Sequence, residues 1–292
     1  MTKPTKIELP PLKLAHAEVG IVGDTPLIVH AWSQKAREEM LRKQMKLPVH
    51  RTSKDPVDAF LRSMYRTDEN FYGVPAVGVK NAMVTACTSV DGITKTAARQ
   101  AFIIVGERGK TKAAFADLFS PQDLVRILSP NPPTLREDMV RLAGIGNTAD
   151  LRYRAEYWPW GAKLTIRYNA NVLSLDQLAN LLNTSGFGVG LCEWRPERDG
   201  QSGTFHVADE HDMKMLSSRA WLTHREPELP DVSAWMRKMN AENQIAEGSV
   251  RAVARRGRQK VAIPEAANDP VFAPPEAPQP RRRRRNGAEE IA

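Results

Sequence analysis

The stretch LRYRAEYWPWGAKLTIRYN, residues 151–169, constrains the fold more than any other part of the chain. Apolar and polar residues alternate on both sides of Trp158–Gly161, the two-residue period of strands that bury one face. Pairing Tyr157 with Ala162 sets Ala155 against Leu164, Tyr153 against Ile166 and Leu151 against Tyr168, all apolar pairs. The other side then carries Arg154 with Thr165, Arg152 with Arg167 and Glu156 with Lys163. A slip of one residue would mix the two sets, so the pattern predicts a β-hairpin of defined register with one buried and one basic face. In its turn, Trp158 and Trp160 can stack on bases, plug a neighbouring subunit or cap this protein's own core.

A helix is predicted directly afterwards. Ser174 stands at the N-cap with Gln177 three residues on, the pattern of a capping box. Leu175, Leu178, Leu181 and Leu182 form the apolar stripe, and Gly186 occupies the place of a left-handed C-terminal cap. The connection that follows, GFGVGLCEWRPERDGQSGTFHV, holds five glycines and two arginines before a short apolar run. Glycines let a main chain approach closely and turn its N–H groups toward phosphate oxygens. Arg195 and Arg198 can contact phosphate in bidentate fashion, and Trp194 can stack on a base.

Upstream, residues 17–30 read as a strand interrupted at GDTP. Ser33 then caps a charged helix, and DPVDAFLRSMY is a short helix with Pro56 in its first turn. YGVPAVGVKNAMVTAC turns at Gly73–Gly78 and continues as a helix in which Val79, Met83, Ala86 and Val90 keep the helical period. Lys80 and Asn81 follow Gly78 at that helix start, where N–H groups attract phosphate. Lys95 and Arg99 lie in a similar setting. RQAFIIVGE is a buried strand, and the polar stretch from 109 to about 150 reads as an insertion rather than core.

The net charge of +8 favours an anionic partner. It is unevenly placed: ten bases and five acids lie from Arg251 onward, so five of the eight charges belong to that end and three to all the rest. The tail, 247–292, rich in Arg, Ala and Pro and ending in the run Arg281–Arg285, is expected to be disordered and to bind polyanions. Residues 209–246 read as a helical surface extension, leaving 1–208 as the folded core.

At this point the residues resemble a family. The helix ending NLLNTSGFGVG with the loop after it looks like the glycine-rich loop of the RAMP superfamily, the ferredoxin-like RNA-binding subunits of CRISPR complexes. YGVPAVGVKNAMVTAC looks like the turn-into-helix segment that lies beside RNA in that family. The loop departs from the family in having no basic residue in GQSGTF. The general run of the chain also resembles phage and prophage proteins. The resemblance implies an α+β fold with a ferredoxin-like β-α-β-β-α-β core, elaborated by insertions. It implies sequence-tolerant binding of single-stranded nucleic acid, RNA more than DNA, by subunits repeated along the strand as a homo-oligomer or filament. Gly186, Gly188, Gly190, Arg195, Gly200 and Gly203 are the loop positions it carries over. Trp194, Arg198, Lys80, Asn81, Arg152, Arg154, Lys163 and Arg167 join them from the residues themselves.

Two rival readings are an RNA endonuclease with His30 as its base and a phage structural or protein-interaction protein. An enzyme is the less favoured class, since no phosphate-loop, HExxH or GxSxG pattern occurs. His206 reads as packed or edge-exposed. The two cysteines, Cys87 and Cys192, form neither a disulfide framework nor a CxxC pair and read as small hydrophobes. No cofactor or metal is expected, and no signal-peptide core or run of about 18 apolar residues appears, so a cytoplasmic protein with no membrane contact is expected.

Overall fold

Strand β1 (Leu14–Gly23) runs for ten residues and ends at Gly23, where a Cβ would run into the Trp160 indole. It leads through the bend at Asp24 to β2 (Leu27–Val29), so the interruption expected at GDTP divides two strands. In the computed structural model the residues described are 11–32, 34–48, 54–109, 123–141 and 149–229. Ser33 and the tail 247–292 lie outside them, as does most of the 109–122 segment.

Next come helices α1 (Gln34–Gln44) and α2 (Pro56–Arg62). Asp55 caps α2 by accepting from the Val57 and Asp58 N–H groups, with Pro56 at the first helical position, where its missing N–H costs nothing. Strands β3 (Tyr65–Arg66) and β4 (Tyr72–Pro75) follow, then α3 (Ala76–Ala86), α4 (Lys95–Ala101), β5 (Phe102–Val105), β6 (Glu107–Arg108), β7 (Asp123–Arg126) and β8 (Thr134–Arg141). The chain continues through β9 (Ala149–Tyr157), β10 (Gly161–Asn169), α5 (Leu175–Gly188), β11 (Phe205–Val207), α6 (Glu210–Leu216) and α7 (Arg219–Leu222). The result is a mixed α+β fold with three antiparallel sheets, ordered β11-β1-β10-β5, β2-β9-β8 and β3-β4-β7-β6.

The expected hairpin at 151–169 does not form. β10 lies between β1 and β5, pairing Leu14–Val22 with residues 161–169 and Phe102–Val105 with residues 165–168. β9 lies in another sheet, between β8 and β2. Trp158–Trp160 therefore carries the chain from one sheet to another instead of reversing it within one. The faces were read correctly for β10, where Ala162, Leu164, Ile166 and Tyr168 are buried and Lys163 and Arg167 exposed. On β9, Ala155 and Tyr157 are buried but so is Arg154, while Leu151 is exposed. That strand is covered on both faces near its end.

The core joins the inner face of the first sheet to α3 and α5, with Met83, Leu178 and Leu182 buried in the same cluster as Leu164 and Ile166. The capping box at Ser174 and Gln177 is present. Gly186 is not a C-terminal cap. It lies inside α5, and a Cβ there would run into the carbonyl oxygen of Phe205, so its role is to let α5 lie against β11. The left-handed residue comes at Gly190, φ 71°. Part of the stretch read as an insertion is also core: Leu124, Val125, Ile127 and Leu128 are buried around β7. The predicted turn at Gly73–Gly78 is strand β4 running directly into α3. α6 packs over Gly20 on the outer side of the first sheet, where Leu128, Leu216 and Trp221 form a second buried cluster.

Candidate nucleic-acid interface

A cleft of about 510 Å³ opens between α3, α4, the end of β2 and the connection after α5. Four segments distant in sequence meet there. Asn81 comes from α3, Lys95 and Arg99 from α4, His30 from the end of β2, and Gly190 and Arg195 from the connection. Thr94 anchors the α4 pair by capping that helix, its hydroxyl accepting from the Ala97 N–H at 3.2 Å. Neither Lys95 nor Arg99 has a carboxylate partner among the described residues, which leaves both charges available to an anionic ligand.

The connection is an ordered loop rather than an open hairpin. Leu191 N donates to Gly203 O at 2.9 Å, Gly203 N to Pro26 O at 2.9 Å, Ser202 N to Trp194 O at 2.8 Å and Glu193 N to Ile28 O at 3.0 Å. Pro196–Arg198 forms one 3-10 turn. Gly190 and Gly203 take positive φ, which glycine adopts without steric cost. Cys192, Trp194 and Asp199 are left-handed too, at φ 63°, 54° and 58°. In non-glycine residues that conformation costs of order 1–3 kcal/mol each and persists only where the surroundings dictate it. Gly200 is required by contact: a Cβ there would overlap the Trp194 carbonyl.

The arginines of this loop differ. Arg195 is spent locally, with Nε and Nη2 on Glu197 Oε2 at 3.0 and 2.8 Å and Nη1 on the Cys192 carbonyl at 2.8 Å. Arg198 is exposed on the 3-10 turn. Trp194 is 41% exposed. Gly188 lies exposed at the end of α5, and a Cβ there would meet nothing. Beside it Phe187, which the sequence reading passed over, stands 84% exposed. Its signal was present, since it breaks the α5 stripe between two glycines.

The basic hairpin face does not exist as one surface. Arg154 is 1% exposed, with Nη1 3.3 Å from Asp138 Oδ2 and Nη2 3.5 Å from Glu193 Oε2. It is an internal counter-ion that a strand cannot reach. Arg152 is half-buried and 3.7 Å from Asp150. Lys163 and Arg167 lie in the other sheet, Lys163 donating to Ser217 Oγ at 2.8 Å and Arg167 standing exposed between His16 and Ile103. Lys80 and Asn81 are also not at a helix start. α3 begins at Ala76, which places both beyond the first turn and its free N–H groups. Asn81 still faces the cleft, whereas Lys80 is half-buried outside it.

His30 lies where β2 enters the cleft, its Nδ1 3.9 Å from Glu193 Oε1. Burial and then the Arg154 guanidinium hold its pKa below the ordinary histidine value, so the imidazole is neutral at neutral pH. Burial pushes the Cys192 thiol up to about 12, which makes it a poor nucleophile. Cys87 is buried. Trp160 is core, its Nε1 donating to Thr25 O at 2.8 Å, whereas Trp158 is 46% exposed. Asp209, His211 and Asp212 could close on a cation at the exposed start of α6, but the two aspartates already form that helix's capping box. No helix among the described residues is long and apolar enough to cross a membrane.

No family model matches the chain, and no curated protein matches it. Among solved structures it is similar to Cmr6 from Pyrococcus furiosus, with 10% sequence identity over 68% of this chain and 100% of that one. The TM-score is 0.32, too low for the likeness to bear on fold or function.

Proposed function

We propose that the protein binds single-stranded nucleic acid, RNA in preference to DNA, in the cleft between α3, α4 and the loop after α5. The observation that carries this reading is convergence. Asn81, Lys95 with Arg99, Gly190 with Arg195, and His30 were singled out in four separate stretches of sequence, and they line one cleft. Lys95 and Arg99 supply the charge for the phosphate backbone, and two exposed aromatic side chains beside the cleft lining, Trp194 on the loop and Phe187 in the last turn of α5, offer faces for bases. The fold reading that accompanies this is a ferredoxin-like core. β1, α3, β5, β10, α5 and β11 follow one another as strand, helix, strand, strand, helix, strand, and their sheet order β11-β1-β10-β5 supports it. The arginine run 281–285 adds a sequence-independent contact, and assembly of repeated subunits along the strand belongs to the same proposal.

The test is a titration of single-stranded RNA with Lys95→Ala/Arg99→Ala in the full chain. Losing two phosphate contacts should weaken binding and reduce the slope of log affinity against log salt by about 1.4. A folded double variant that binds with unchanged affinity and slope would sink the cleft as the grip. A second reading, RNA cleavage with His30 as base, is favoured by the neutral imidazole in the same cleft. Cleavage of a structured RNA that disappears in His30→Ala would establish it.

A further inference from the structure

Glu193 is out of place in a cleft for a polyanion. Its carboxylate faces the same space as Lys95 and Arg99, and an acid there repels phosphate. It is also held with unusual care. The residues on both sides, Cys192 and Trp194, are left-handed, and the Glu193 N–H is tied to Ile28 O at 3.0 Å. Behind it stands the buried Arg154, Nη2 3.5 Å from Oε2, with His30 Nδ1 3.9 Å from Oε1. The neighbouring acid, Glu197, already accepts twice from Arg195. Glu193 differs: neither of its oxygens accepts a hydrogen bond from the described residues, and its side chain is 40% exposed. It is therefore a positioned, charge-compensated acceptor in the cleft wall, part-exposed and with no hydrogen-bond donor on it among the described residues.

The edges of the bases differ in what they offer such a group. In a single strand the Watson–Crick edge is free. Guanine presents two adjacent donors there, N1–H and N2–H, which match the two oxygens of one carboxylate. Adenine offers one amino group beside an acceptor, cytosine likewise, and uracil one N–H flanked by two acceptors. We infer that Glu193 makes the cleft selective for guanine at one position of the bound strand, the carboxylate accepting from N1–H and N2–H. This rests on the reading of the cleft as a nucleic-acid site and names what that site prefers.

The experiment uses the full chain and single-stranded RNAs of about 12 nucleotides, within the site size of single-strand binders. One is all adenine, one carries a single central guanine, and one carries inosine in that place. The arginine tail makes backbone contacts alike with all three strands, so it does not contribute to the differences between them. Guanine should be preferred over adenine by roughly tenfold, toward the lower end for a bidentate pair. Inosine, which lacks the 2-amino group, should lose most of that preference. Glu193→Gln should bring guanine and adenine within about twofold while retaining affinity for the adenine strand, because the backbone contacts are untouched. The inosine arm needs no variant and stands even if Glu193→Gln fails to fold. Equal affinity of the native chain for guanine and adenine strands, with both still weakened by Lys95→Ala/Arg99→Ala, overturns the guanine preference and leaves the cleft. Strands indifferent to Lys95→Ala/Arg99→Ala overturn the cleft reading and this inference with it.

Discussion

β9 and β10 read almost alike in sequence and end in opposite situations. Both alternate, both carry two bases between apolar residues, and three residues separate them. Yet β10 turns its bases to solvent from a central position in the first sheet, whereas β9 draws Arg154 inside, between Asp138 and Glu193. The difference teaches that alternation sets which residues share a face but not what that face meets. On β10 the polar side is open near Arg167. On β9 the same side meets β8 and the loop after α5, so a guanidinium there becomes part of the interior.

The largest effect should come from Arg154→Ala. It empties a site 1% exposed and takes the buried guanidinium from Asp138, which keeps Arg136 Nε at 2.9 Å, and the cavity and the weakened pair together should cost about 3–5 kcal/mol of unfolding free energy in chemical denaturation. A loss below about 1 kcal/mol would show that β9 is no different from β10. The link between the strands gives a second contrast. Trp160→Ala, emptying a site 1% exposed, should cost about 3–5 kcal/mol, and Trp158→Ala about 0.5 kcal/mol or less. Arg152→Ala should fall between the extremes, within about 1 kcal/mol, since its contact with Asp150 is half-exposed. Arg167→Ala on β10 should change stability by no more than about 0.5 kcal/mol.

The smallest effect concerns the far edge of the first sheet. His206 on β11 bonds Asp24 at 2.7 Å and Asp212 at 3.3 Å. Burial opposes its charge, but the two carboxylates outweigh that and raise its pKa above the ordinary value. The folded value lies above the unfolded one, so the stabilisation is complete below about pH 6.5 and is lost as pH rises through the folded value. Melting curves of the native chain and His206→Ala should differ most in mild acid and converge at alkaline pH. A gap that widens with pH would mean that the carboxylates do not govern the ring.

Much of this was readable in advance where the cause is local. The Ser174–Gln177 box, the Pro56 start of α2 and the break between β1 and β2 depend on groups a few residues apart, and all are present. The candidate site was half readable. Glycine density and isolated bases pointed to Asn81, Lys95, Arg99 and the loop, but nothing in its neighbours along the chain marked Glu193. Phe187 carried a signal, an aromatic between two glycines off the α5 stripe, that the reading passed over.

The sequence by itself determined where β1, β2, β9, β10, α2 and α5 run, which side of β10 is apolar and that the connection after α5 needs glycine. It could do so because periodicity, capping and left-handed turns are set by nearest neighbours along the chain. Tertiary structure alone decided that β9 and β10 part company, that Arg154 is buried, that Gly186 serves close packing against β11 and that four separate segments share one cleft. Those outcomes depend on which surfaces compete for a partner. β10 pairs along nine positions with β1, residues 14–22 against 161–169, and β9 along eight with β8. Each strand thereby satisfies a longer row of backbone groups, and buries more apolar area, than a local pairing judged from its own nineteen residues could reveal.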